Sequence, residues 1–394
     1  MISLLAKKSQ IHRNTPNVFR YASASFLDNM SHFYKETCKE IGLSDELTSI
    51  ILQPEHSIET SHQIFPKNAD GSKGSPILFK GYRVIHKSYL KPSLGGFRMD
   101  RNFEMEDYEA MAAYNTIRNA ICKIPMTGSG GGINLERKNR QNEKVLSLAL
   151  ETFVTELATK NFLGPHIDVS MPALNSGSFE MDRIAQAYIH GVGNKAMSPL
   201  ACATGKSIDY SGIELRADAP GVGSFLALNK ILNSPELTKA HNIKQGLKGK
   251  RVIFLGFGSR GLTLSKLLVE NGAKVVGVLE QGNGIYCTNE EDGFDPENIK
   301  KYQDEMGKLR GFPESIADPE VYNRPCDILV SYVHTAENRI TEEKAKKLRC
   351  AVFAEQSMGN LTPKGDQMLN SMGVLVLPDV LSSLGEPVSS YIEY

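Results

Sequence analysis

The stretch Arg251–Gln281, RVIFLGFGSRGLTLSKLLVENGAKVVGVLEQ, decides the fold by the order of its parts. The apolar run Val252 to Leu255 has the length and residue types of a buried strand, and it passes directly into Gly256, Gly258 and Gly261 at the head of a helical pattern. A second apolar run, Lys274 to Leu279, follows and ends at Glu280. Strand, glycine turn, helix and second strand make the βαβ unit of a dinucleotide site. Gly256 permits the tight turn, Gly258 lets backbone approach a pyrophosphate, and Gly261 lets the helix pack on the strand. The helix start, with Ser259 and Arg260, adds N–H groups and the positive end of the helix dipole. Glu280 would hydrogen-bond ribose hydroxyls and repel a 2′-phosphate, and Gln281-Gly282-Asn283-Gly284 offers no base to welcome one. NAD is therefore expected rather than NADP.

Outward from this unit the rhythm persists. After about Gly205, helix, strand and glycine turn alternate to the C-terminus, the pattern of a parallel, doubly wound sheet. The first half differs. Asn29 to Leu43 carries apolar residues at helical spacing, and Ser57 to Phe65 and Ile77 to His86 are β-rich runs. Helical patterns follow at Glu104 to Cys122, Lys144 to Thr159 and Phe179 to Ile189. A chain of 394 residues exceeds one ordinary core, so two α/β domains are expected, 1–206 with a mixed sheet and 207–394 with a Rossmann fold.

Composition narrows the partners. With 45 basic residues against 45 acidic ones, the chain has no global field to recruit nucleic acid or an anionic membrane, and small ligands are the better expectation. The six cysteines lack CxxC or Cys/His spacing, which suits reduced thiols in an intracellular, cytoplasmic protein better than disulfides or a metal site. Lys7, Lys8, Arg13 and Arg20 precede the first acid, Asp28, so the N-terminus faintly resembles a transit peptide; a basic surface segment is the expectation. One stretch resists these rules. PMTGSGGGINLE, Pro125 to Glu136, holds four glycines and no lysine, arginine, aspartate or histidine. It lacks the Gly-Lys-Ser/Thr ending of a phosphate loop.

Several blocks together carry a resemblance: GYRVIHKS at Gly81, LGGFRM at Leu94, TGK at Thr204, the GFGSRG unit, AEQSMGNLTP at Ala354 and PDVLSSLG followed by SSYIEY at Pro378 to Tyr394. Their order is similar to that of the glutamate/leucine/phenylalanine/valine dehydrogenases. The resemblance implies an N-terminal substrate and oligomerisation domain, commonly of a homo-oligomer, and a C-terminal NAD domain that close over an amino acid. Its α-hydride passes to the nicotinamide and the iminium is hydrolysed to a 2-oxo acid.

By the same resemblance Leu94 stands where members with acidic substrates have a lysine, beside Gly95 and Gly96; Arg118 stands for the lysine that holds the α-carboxylate; Ser383 and Ser390 fall at substrate contacts. Two catalytic positions differ. Gly130 falls where the family has its catalytic lysine, with Ile133 as the alternative register, and Asn175 falls where it has its proton-transferring aspartate. General acid–base groups contribute about 10²- to 10⁴-fold each, so these replacements predict crippled oxidative deamination. Pro220 replaces a threonine, and Glu386-Pro387 replaces a usual Gly-Val. The sequence stops at Tyr394, where relatives continue into helices that return to the first domain, so the resemblance does not carry over the usual clamp between domains. The expected function is an NAD-binding oxidoreductase for an amino acid or related 2-oxo or imino acid; the alternative is a catalytically silent NAD- or amino-acid-binding protein with a regulatory or assembly role.

Overall fold

The computed structural model describes residues 26–67, 70–192, 198–280, 282–333 and 339–394. The basic residues Lys7, Lys8, Arg13 and Arg20, and Gln281, lie outside them. Two sheets organise the rest. The first runs β1 (His56–Ile64), β2 (Ile77–Ile85), β3 (Ser93–Met99), β4 (Gly128–Ile133) and β5 (Asp168–Pro172), in the spatial order β1-β2-β4-β3-β5. β1, β2 and β4 pair antiparallel, whereas β4, β3 and β5 pair parallel, so the sheet is mixed.

The second sheet comprises β6 (Arg251–Leu255), β7 (Lys274–Glu280), β8 (Asn283–Cys287), β9 (Ser315–Ala317), β10 (Ile328–Ser331), β11 (Val352–Glu355) and β12 (Leu375–Leu377). Its order is β12-β11-β10-β6-β7-β8-β9. Strands β12 to β7 run parallel, and β8 and β9 add an antiparallel edge. The chain leaves β6 for β7 on one side and reaches β10 on the other. That reversal opens a crevice beyond the carboxyl ends of β6 and β10, the place where open α/β sheets bind ligands. Val252, Ile253, Phe254, Ile328, Leu329 and Val330 are fully buried, as strands covered on both faces must be.

The helix Met105–Ile121 and β4 account for the glycine run. The run is no loop: it is the central strand of the first sheet, all six residues buried. Gly128 and Gly130 admit the helix at backbone distance, and Gly131 admits the neighbouring strand β2. A Cβ at Gly128 would lie 2.1 Å from the Thr116 nitrogen and 2.3 Å from the Ala112 carbonyl oxygen, and one at Gly130 would lie 2.9 Å from the Tyr108 carbonyl oxygen. A Cβ at Gly131 would lie 2.4 Å from the Tyr82 carbonyl oxygen and 2.6 Å from Arg83 Cδ. Arg83 is wholly buried, and its guanidinium pairs with buried Asp168 and donates to Ser129 Oγ at 2.9 Å and Gly96 O at 3.2 Å. Asp168 is a structural acid.

The two halves are clasped by the last helix, Gly385–Glu393, which packs on the helices Ala219–Leu232 and Met105–Ile121. Glu393 accepts from the Gly205 and Lys206 backbone nitrogens and pairs with Lys206 Nζ at 2.6 Å, both side chains nearly inaccessible. Tyr394 donates to the Pro165 carbonyl at 2.8 Å. These contacts join the two halves from within the final ten residues, Gly385 to Tyr394.

Candidate functional site

The cleft between the sheets measures about 360 Å³. One wall is the turn after β6. Gly256 adopts φ +84° and a Cβ there would meet Tyr332 Cβ at 3.0 Å, so the turn does require glycine. Gly258, at φ +29°, has nothing within 4 Å of its would-be Cβ, leaving open space at the start of the helix Gly258–Glu270. Gly261 is less constrained than expected, with its nearest neighbour 3.6 Å away. Glu280 lies on the same wall and accepts the Phe257 N–H at 2.6 Å. The open approach to backbone, the helix start and the acid fit a dinucleotide's pyrophosphate and ribose.

The opposite wall is the helix Met105–Ile121, which presents Met111, Tyr114 and Arg118, together with Ala173 to Ser176 after β5. Arg118 is only 2 % exposed, yet its guanidinium is already engaged. Nη1 donates to Asn115 Oδ1 at 3.2 Å; Nη2 donates to the Ser383 carbonyl and to Glu386 Oε2 at 3.0 Å. Glu386 Oε1 in turn pairs with Arg260 Nη2 at 2.5 Å. One carboxylate therefore ties the helix of the first sheet to the nucleotide turn of the second. Burial would raise the Glu386 pKa, but Arg260, Arg118 and Arg216 overcome it and hold it down to about 2. Arg216 donates Nε to Ser390 Oγ at 3.2 Å, while its Nη2 and Arg118 Nε are buried without a hydrogen-bond partner.

Of the sequence-predicted residues, Arg118, Ser383, Gly256, Gly258, Ser259, Arg260, Gly261, Glu280 and Asn175 line this cleft together. Leu94, Gly95, Gly96, Gly130 and Ser390 do not. Leu94 is enclosed by Ile124, Met126, Val169 and Met171. Gly95 and Gly96 lie within β3, where a Cβ would sit 1.7 Å from the Ser129 carbonyl oxygen and 3.0 Å from Ala173 Cβ respectively. Ser390 is fully buried against Arg216. Gly130 faces the Tyr108–Ala112 turn of the helix, and the alternative Ile133 is buried in the core. Asn175, at φ +61°, spends its amide on the Met99 carbonyl at 2.8 Å, which holds the loop after β5 rather than a ligand.

Sequence reasoning missed Arg98, Tyr114, Tyr332 and Gln356 on the lining. It noticed Glu386 only as a replaced glycine. Arg98 and Gln356 stood within blocks already singled out, LGGFRM and AEQSMGNLTP; Tyr114 and Tyr332 gave no signal.

Comparison with known proteins agrees with this layout. Residues 61–190 match the model described as Glu/Leu/Phe/Val dehydrogenase, dimerisation domain, and residues 211–394 match Glutamate/Leucine/Phenylalanine/Valine dehydrogenase. The mitochondrial glutamate dehydrogenase of Dictyostelium discoideum is 30% identical over 82% of this chain, which spans 63% of that relative's length. The NADP-specific glutamate dehydrogenase of Saccharolobus shibatae is 29% identical over 94% of the chain and 82% of its own length. The NAD-specific enzyme of Peptoniphilus asaccharolyticus is 28% identical over 91% and 81%. Among solved structures, the hetero-hexameric glutamate dehydrogenase of Thermus thermophilus in its Leu-bound form superposes with a TM-score of 0.80 at 25% identity, covering 95% of this chain and 84% of that one.

Proposed function

The chain belongs to the glutamate/leucine/phenylalanine/valine dehydrogenase family, and from that premise we propose that it is a nicotinamide-dinucleotide-binding oxidoreductase for an amino acid or a related 2-oxo or imino acid, slow in standard oxidative deamination. One observation carries this reading: the cleft brings a dinucleotide turn against a buried guanidinium, yet among the described residues lining it there is no lysine and no aspartate. Bound NAD would supply the hydride acceptor. The chain's own residues would orient the ligand through Arg118 and Tyr114, but Asn175 cannot take up a proton near neutral pH.

The relatives include both NAD-specific and NADP-specific enzymes, so a nicotinamide cofactor is supported by kinship. The choice of NAD is part of the proposal and rests on Glu280 at the end of β7, with no basic side chain at Gly282, Asn283 or Gly284. A homo-oligomer built on the first sheet and a cytoplasmic location belong to the same proposal. A catalytically silent NAD- or amino-acid-binding role is the second reading, favoured by the Glu386 carboxylate on Arg118.

The test is a paired assay on the full chain. NADH formation from a panel of amino acids is expected to be near background, while 2-oxo acids with ammonia, or 2-hydroxy acids, give measurable turnover. Turnover on neither panel, with NAD still raising the melting temperature, would decide for the silent reading. No shift with millimolar NAD would sink the cofactor assignment itself.

A further inference from the structure

The cleft holds more positive charge than its known partners use. Arg118 and Arg260 pair from two separate elements with the single carboxylate of Glu386, and Arg216, bonded to Ser390, adds its charge nearby. The other acids nearby are committed elsewhere: Glu393 pairs with Lys206, Asp379 accepts the Gly359 N–H at 3.0 Å, and Glu355 accepts the Leu361 N–H at 2.8 Å. Planar guanidinium forks grip carboxylates through two parallel bonds. On Arg118 both Nη atoms are taken, one of them by Glu386, and only Nε is left.

We infer that Glu386 is an intramolecular occupant of the cleft's carboxylate seat, and so the residue that sets its specificity: a free 2-oxo or amino acid reaches Arg118 only by displacing it. This deepens the proposed function and rests on it for the identity of the ligand class. The position of Glu386 makes the occupancy persistent. It lies in the first turn of the helix Gly385–Glu393, where a negative charge suits the helix dipole, and Pro387 follows it. The helix is pressed on its neighbour so closely that a Cβ at Gly385 would lie 1.9 Å from the Ala219 carbonyl oxygen. The carboxylate is thus delivered by a rigid element rather than a loose side chain. Because the same carboxylate also pairs with Arg260 beside the nucleotide turn, its removal frees that guanidinium for a dinucleotide phosphate.

The experiment compares the full chain with Glu386→Gly, Glu386→Gln and the double variant Glu386→Gly/Arg118→Met. 2-Oxoglutarate and 4-methyl-2-oxopentanoate are titrated by calorimetry, and NADH is titrated separately by fluorescence. Losing a charge-assisted competitor is expected to tighten at least one 2-oxo acid by about ten- to a hundredfold in Glu386→Gly. Glu386→Gln, which keeps the volume and loses the charge, should gain less and serves if the glycine variant folds poorly. The gain should vanish in the double variant. Equal affinities in the wild type and both single variants, no binding of either acid to any variant, or a gain that survives Arg118→Met would each overturn the inference. Failure of NADH to bind would instead count against the proposed function, and leaves the carboxylate comparison readable.

Discussion

Gly130 faces the helix that carries Arg118, and any side chain there must enter space held by Met111 Cε and the Tyr108 carbonyl, both 2.9 Å from its would-be Cβ. The methionine tip can move; the carbonyl belongs to the helix and cannot. Gly130→Lys is therefore expected to cost about 1–3 kcal/mol, read as a lowered urea midpoint at unchanged m-value. Combined with Asn175→Asp it should still fail to restore amino-acid-dependent NADH formation, since Asn175 is tied to Met99 O and Glu386 still holds Arg118. Robust turnover in that double variant would show that the pocket has drifted less than its geometry indicates. On the far side of the same strand, Asp168→Ala strands the wholly buried Arg83 guanidinium. A loss of about 3–5 kcal/mol is expected in equilibrium unfolding.

At the scale of the element, the helix Gly385–Glu393 makes stability depend on pH through Glu386. Its folded pKa of about 2 lies below the ordinary 4.5, so its contribution is fully present above about pH 4.5 and is lost as the pH falls toward 2. The size is on the order of 3 kcal/mol. Asp379, at the turn leading into that helix, has the opposite sign. Burial raises its pKa to about 6, so its contribution is present below the ordinary 3.8 and lost as the pH rises through 6. Unfolding curves of wild type and Glu386→Gln should accordingly converge between pH 4.5 and 2. Curves that stay parallel across that window would mean the three arginines do not hold this carboxylate ionised.

For the whole molecule, the clasp of Glu393 on Lys206 and Gly205 predicts that the two sheets unfold as one unit. Glu393→Ala leaves Lys206 buried and unpaired, and calorimetry should show a lower transition temperature with a broadened or divided peak. NAD at a hundredfold its dissociation constant should add about 2.7 kcal/mol to the stability of the fold. Much of this architecture was legible in the sequence. Strands β6 and β7 announced themselves because both faces are buried and the turn needs Gly256. The helices at 105–121, 143–159 and 178–192 followed from spacing alone. Strand β4 was illegible, since glycine has no hydropathic period and its usual meaning is a turn, whereas here the missing Cβ atoms of Gly128 and Gly130 answer to a helix backbone 2–3 Å from where they would stand. Glu386 was visible as an oddity, but its meaning required Arg118 and Arg260, which only the closed chain brings beside it. The tight seam between β4 and its helix has an evolutionary corollary. Replacements at Gly128 and Gly130 would lower stability whatever they did to turnover, so a lineage that abandons catalysis would still be held to these glycines, which makes the run a poor witness to activity.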